Sequence, residues 1–233
     1  MQQRGSVSAL VQNARQIAKL LRDRLSRDCW RTIQHAMPVI VPGDLDRIAQ
    51  ACDLLVERFA SFARLASDGQ SRGPAWHFLD MGMCLERGSM IVQATRSLVP
   101  GSANAEDLTA LLDLVDGLSL YRSRYMTMPY IAPVFDLVLL DPAQPRGLAF
   151  QIARIEEHLG ELPLLADNGM RDPPMRLVRQ LRARLEGLDA QFVTSAVINE
   201  LEAGLGRLSE EIGRLYFLQY DGAEDSGKPV LLQ

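Results

Sequence analysis

Trp76-His77-Phe78-Leu79-Asp80-Met81-Gly82-Met83-Cys84-Leu85-Glu86-Arg87-Gly88 decides the fold. It is an apolar run at helical spacing that carries a charged Glu-Arg pair, entered after Gly73-Pro74 and ended by Pro100-Gly101, the punctuation of a single long helix. Leu79, Met83, Glu86 and Met90 step down one face, while Arg87 shares a face with Ile91 and Ala94. Neighbouring residues diverge by about 100° around a helix, so Glu86 and Arg87 cannot simply pair with each other. Each needs its own partner, because an enclosed and uncompensated charge costs several kcal/mol. Arg124 or Arg146 is the expected partner of Glu86, and Asp141 or Asp136 that of Arg87. The alternative on periodicity alone is that Glu86 is exposed and Arg87 reaches solvent along its apolar stem.

Working outward, every neighbouring segment also reads as helix. Upstream, Leu10, Ala14, Ile17, Leu21, Leu25 and Trp30 predict one amphipathic helix over residues 6–35, with Arg15, Lys19 and Arg22 on another face. Asp44 is a candidate N-cap for a second helix reaching about Ala66. Downstream, a helix from about Ala105 continues through Leu118 into Tyr121-Arg122-Ser123-Arg124-Tyr125. The apolar stretch from Pro129 to Pro142 reads as a short buried helix, since a lone strand would leave its backbone groups without partners. Helices follow from Gly147 to about Leu162 and over Leu177 to Leu188. The last carries Ile198, Leu201, Leu205, Leu208, Ile212 and Leu215, a seam suited to a hairpin within the domain. The expected architecture is all-α: an antiparallel bundle of roughly six to eight helices forming one domain over residues 1–220, with a loosely ordered tail over 221–233.

Composition narrows the function classes. A net charge of -4 exerts no general pull on nucleic acid or anionic membrane, and no apolar run approaches the roughly 20 residues that span a bilayer. The polar start Met1-Gln2-Gln3-Arg4-Gly5 is unlike a signal peptide, and three cysteines without Cys-x-x-Cys spacing fit a reducing cytoplasm. No Walker or dinucleotide loop is present, and no Gly-x-Ser-x-Gly elbow. His35, His77 and His158 lack the Glu-x-x-His or His-x-x-x-His spacing of helical metal sites. His77, Asp80 and Cys84 do share one helical face, but their mixed chemistry is poorly suited to a metal. Neither a metal, a cofactor nor a catalytic residue is expected.

Gly82-x-x-Leu85-Glu86-Arg87, the preceding Trp76-His77-Phe78-Leu79, the Tyr121–Tyr125 stretch and Leu139-Leu140-Asp141-Pro142-x-x-Pro145-Arg146 together resemble the bacterial alpha-E domain family. Asn13-Ala14-Arg15 with Trp30 extends the resemblance, which covers most of residues 4–160. Met83 and Ser89 stand where that family usually has a basic and an acidic residue. The family resembles a duplication with an earlier Glu-Arg helix, which is not expected in this chain, and Gln2-Gln3-Arg4-Gly5 echoes Gln144-Pro145-Arg146-Gly147, as if the first half-repeat were absent. A bundle so reduced would expose apolar faces and associate with a partner or with itself.

The resemblance implies a setting beside circularly permuted ATP-grasp ligases and transglutaminase-like peptidases. It points to a non-catalytic module that binds or positions an ATP-grasp amide or peptide ligase, or its peptide-like substrate, through a polar cluster of Glu86, Arg87, Arg124, Asp141 and Arg146. Two alternatives are a small-molecule enzyme with Arg87 as anion clamp and Glu86 as base, and a scaffold whose pair fixes helix register.

Overall fold

The computed structural model describes residues 6–35, 38, 43–98, 103–163 and 172–217. These residues form ten α-helices, with short 3-10 and π turns between them and no strand, so the protein is all-α. The turn formers Pro42 and Pro100-Gly101 lie outside the described residues, as does the expected tail over 221–233. No helix among the described residues is long and apolar enough to cross a membrane. The chain divides into two compact units, residues 1–76 and 77–233, with the boundary after the first turn of the Glu-Arg helix.

In the first unit, α1 (Val7–Leu20) and α2 (Arg27–Gln34) replace the single helix expected over 6–35. The reason is local. Ser26 turns extended and its hydroxyl accepts from the Cys29 amide, starting a new helix after the 3-10 turn Arg22–Arg24. The guanidinium of Arg15 donates to the Ile33 and His35 carbonyls at 3.2 and 2.5 Å, satisfying acceptors left over at the end of α2. Helix α3 (Leu45–Asp68) starts as expected at Asp44, whose carboxylate accepts from the Arg47 amide. The apolar positions of α1 divide: Val11 and Ala18 are buried, whereas Leu10 and Ile17 are exposed.

The second unit holds most of α4 (Pro74–Arg96), then α5 (Ala105–Leu114) and α6 (Leu118–Tyr125). The last two were expected as one helix. They separate because Asp116 adopts a left-handed conformation (φ 54°) before Gly117, where a Cβ would stand 3.0 Å from Gln144 Nε2. The apolar stretch after Pro129 is helical, as read: α7 (Ile131–Phe135) runs into a π turn over Asp136–Leu140, closed by the Asp141 amide donating to the Asp136 carbonyl. Leu137, Val138 and Leu139 are all fully buried there. Helices α8 (Leu148–Glu161), α9 (Pro173–Glu186) and α10 (Ser195–Tyr216) complete the unit. All six seam residues of α10 are buried, and Gly204 lets α10 approach Leu181 of α9.

Candidate functional site

Helix α4 buries Met81, Cys84, Gly88, Ile91 and Thr95, an inward stripe at spacings of three and four. Gly88 leaves room for its neighbours: a Cβ there would meet Leu148 Cδ1 at 3.3 Å and Leu205 Cδ2 at 3.6 Å. With that face inward, Glu86 and Met90 fall on the outside and are exposed.

The five residues of the expected cluster are distributed over several contacts. Arg87 is half-buried and donates to Gln151 Oε1 at 3.2 Å, in place of the anticipated Asp141 or Asp136. Gln151 is itself fully buried, and its amide nitrogen donates to the Pro145 and Gly147 carbonyls at 2.8 and 3.2 Å. The Glu-Arg helix is thereby tied to the turn before α8. Arg124 and Asp141 are brought together at 2.6 Å, and Asp141 Oδ1 accepts from the Ala143 amide at 2.8 Å. This pair occupies the Arg124 guanidinium that was expected for Glu86, and the Asp141 hydrogen bond holds its pKa above the usual arginine value. Arg146, the other partner anticipated for Glu86, is exposed. Contrary to the expectation that no earlier Glu-Arg helix precedes it, a second Glu-Arg pair, Glu57-Arg58, lies on α3.

A denser polar group lies on the same two helices, α4 and α8, and was only half visible in the sequence. Asp80 Oδ2 is 3.0 Å from Arg154 Nη2 and 2.5 Å from His158 Nε2, and His158 Nδ1 is 3.0 Å from His77 Nδ1. Arg154 also pairs with Glu157 at 2.7 Å. The nitrogen facing a carboxylate is the one that donates, so His158 gives its Nε2 proton to Asp80. In neutral His158, Nδ1 is then the acceptor, and His77 Nδ1 donates to it. His158 is 2% exposed, so this orientation is fixed inside the protein.

The electrostatics follow from these contacts. Burial would raise the Asp80 pKa, but the hydrogen bonds from His158 and Arg154 outweigh it and hold the carboxyl below its ordinary value. Burial, then the nearby His158 and Arg154, depress His77, and Glu161 and Asp80 only partly offset this. Burial and Asp80 push the Cys84 thiol up to about 11, which leaves it an inert apolar side chain. Among the described residues, no group of three or more His, Cys, Asp or Glu is set to hold a metal ion. Two depressions, of about 630 and 290 Å³, are lined by residues other than Glu86, Arg87 and Arg146.

The signal for the Asp80 group was the shared face of His77 and Asp80. What sequence spacing could not supply was its other half on α8, more than seventy residues away.

The chain is similar, at 26% identity over 217 residues, to the uncharacterized proteins Mb2597 of Mycobacterium bovis and Rv2567 of Mycobacterium tuberculosis. The match takes in 88% of this chain and 24% of each relative, so the chain spans about a quarter of the length of these curated relatives. No solved structure matches. A family described as a predicted alpha-helical domain with a conserved ER motif matches residues 1–217, and the chain belongs to this family, Alpha-E.

Proposed function

We propose that the chain is a non-catalytic helical module that binds or positions an ATP-grasp amide or peptide ligase, or that ligase's peptide-like substrate. The observation that carries this reading is the division of the Glu-Arg pair: Arg87 is tied inward to Gln151, while Glu86 is presented on the exposed face of α4. A carboxylate held out on a rigid helix suits contact with another macromolecule. A small-molecule enzyme would instead need both groups facing one enclosed space. The match to a quarter of much longer relatives also supports a module that works beside other domains. In this reading the helices form an antiparallel bundle, the setting is a bacterial cytoplasm, and association with the ligase is the main interaction, with self-association as the second.

The test is to mix the purified protein with the cognate ATP-grasp ligase, measuring complex formation by sedimentation and amide formation with and without the module. A complex and faster amide formation are expected, both lost in Glu86→Lys. No complex together with unchanged ligase activity would overturn the proposal. The scaffold reading draws on the Arg87–Gln151 contact. It requires Glu86→Gln to destabilise the fold strongly while leaving partner activity intact at equal folded concentration.

A further inference from the structure

The apolar run from Pro133 to Leu140 contains one charge, Asp136. Phe135 and Leu137 on either side of it are buried, and the Asp136 carbonyl accepts from the Asp141 amide, so the backbone there is held in place. The Asp136 side chain is half-buried and takes one hydrogen bond, from the Tyr125 hydroxyl to Oδ2 at 3.4 Å. Among the described residues it forms no ion pair. Arg87, a cation anticipated to pair with it, goes to Gln151 instead, and Arg124, next to Tyr125 in the chain, pairs with Asp141.

Asp136 opens onto the larger depression, of about 630 Å³, between the end of α6, the start of α7 and the turn after α9. That volume falls within the roughly 300–1,000 Å³ of small-molecule sites. Tyr125 and Tyr130 line the depression beside Asp136, and Glu186 and Asp189 come to it from the end of α9. Among the described residues, no lysine, arginine or histidine lines it. Glu186 is matched by Arg182 at 2.8 Å, while Asp189 Oδ1 accepts from the Gln191 amide at 2.8 Å. The lining is therefore more negative than its ion pairs offset. The Tyr125 ring is held against buried Tyr121, with centroids 4.9 Å apart, and the Tyr130 amide donates to the Tyr121 hydroxyl. Both aromatic walls are thus anchored to the same core side chain.

We propose that this depression binds an organic cation, a guanidinium or alkylammonium group on an aliphatic stem, with Asp136 as its counter-ion and Tyr125 and Tyr130 as its aromatic walls. A phenol ring attracts a cation through its quadrupole and covers the apolar stem, and a carboxylate beside it supplies the opposite charge. Guanidinium fits this combination well, because it is planar, weakly hydrated, stacks on rings and forks onto carboxylates. Burial and the Asp136 charge raise the Tyr125 pKa, so the phenol keeps its proton and remains a donor to Asp136. One such bond occupies a single acceptor position of the carboxylate and leaves the others for a ligand. Glu86 does not line this depression, and the proposal does not depend on the ligase reading.

The probes are butylguanidine and a capped tripeptide with arginine between two glycines, titrated into the full chain by calorimetry at low salt. Saturable binding is expected, weakening as salt is added, and at least tenfold tighter than that of the same tripeptide with neutral citrulline in place of arginine. A tighter tripeptide assigns the site to an arginine side chain of a peptide, and equal or tighter butylguanidine assigns it to a free guanidine. Asp136→Asn keeps an acceptor for the Tyr125 hydroxyl while removing the charge, and should weaken binding at least tenfold. Tyr130→Ala, at a position 54% exposed, should also weaken it, and decides the matter if circular dichroism shows Asp136→Asn to be unfolded. Glu211→Gln, at an exposed carboxylate on α10 outside the depression, should leave binding unchanged. Absence of saturable binding, equal binding of the citrulline tripeptide, or binding unaffected in the folded Asp136→Asn or Tyr130→Ala chain would each overturn the proposal. An equal loss in Glu211→Gln would overturn it too, by showing attraction to the protein's overall negative charge alone.

Discussion

Asp80→Ala tests the polar group between α4 and α8. The substitution removes the acceptor shared by Arg154 and His158. The bond from His158, whose side chain is 3% exposed, keeps most of the ~1.5–3 kcal/mol typical of a hydrogen bond to a charged group. The Arg154 side chain is 32% exposed, so water replaces much of its pairing and its share falls to about 0.5–1 kcal/mol. Alanine's higher helix propensity returns about 0.5 kcal/mol. The net loss expected at pH 7 is therefore about 2 kcal/mol, read as a lower urea midpoint by far-UV circular dichroism at unchanged slope. The pH dependence is a second constraint. The Asp80 pKa is depressed in the folded protein, so its stabilisation is present above the unfolded carboxyl value and is lost as pH falls through the folded one. The gap between wild type and variant should close as pH falls below the ordinary carboxylate range. A loss under ~0.5 kcal/mol at pH 7, the low end for a net intramolecular hydrogen bond, or a gap that stays open well below the ordinary carboxylate range, would refute the reasoning.

His77 has the opposite chemistry but the same direction of pH effect. With its folded pKa depressed, the unfolded chain takes up the proton first, so stability should fall as pH drops below about 6.5, and His77→Gln should flatten that slope in urea titrations. Gln151→Leu leaves Arg87 and the Pro145 carbonyl without their partner, while the Gly147 carbonyl keeps the residue 151 amide, and should cost about 2–3 kcal/mol in the same assay. On α10, a Cβ at Gly204 would stand 2.5 Å from Leu181 Cδ2, whereas Gly206 has open space. Gly206→Ala should therefore raise stability by about 0.5–1 kcal/mol through helix propensity, while Gly204→Ala, facing an overpacking cost of about 1–3 kcal/mol, should lower it in thermal melts.

Most of the helices were legible because each buries one stripe and the period of that stripe is written in the sequence. The α10 seam from Ile198 to Leu215 is the plainest instance. The breaks at residues 21–26 and 115–117 were not, because the apolar spacing runs through them while single residues, Ser26 as a cap and Asp116 in a left-handed turn, decide the backbone. Of the site, the Glu-Arg pair and the Arg124 and Asp141 positions could be picked out. Their pairing could not, since it depends on how the turn after the π segment brings Asp141 back to α6. Gln151 was invisible for a different reason: a glutamine in a helix reads as an outward residue unless the carbonyls it must satisfy are known.

The two halves of the Glu-Arg pair are thus under different physical demands. Arg87 sits one step from Gly88, which packs against the Leu148 side chain of α8, and its long stem lets the guanidinium reach Gln151. A shorter cation at that position would lose the bond. Glu86, rotated about 100° away on the same turn, is exposed. Since Arg87 is fixed by the interior, Glu86 is carried to the surface at a determined place and angle. The arginine's inward partner therefore sets where the carboxylate is presented.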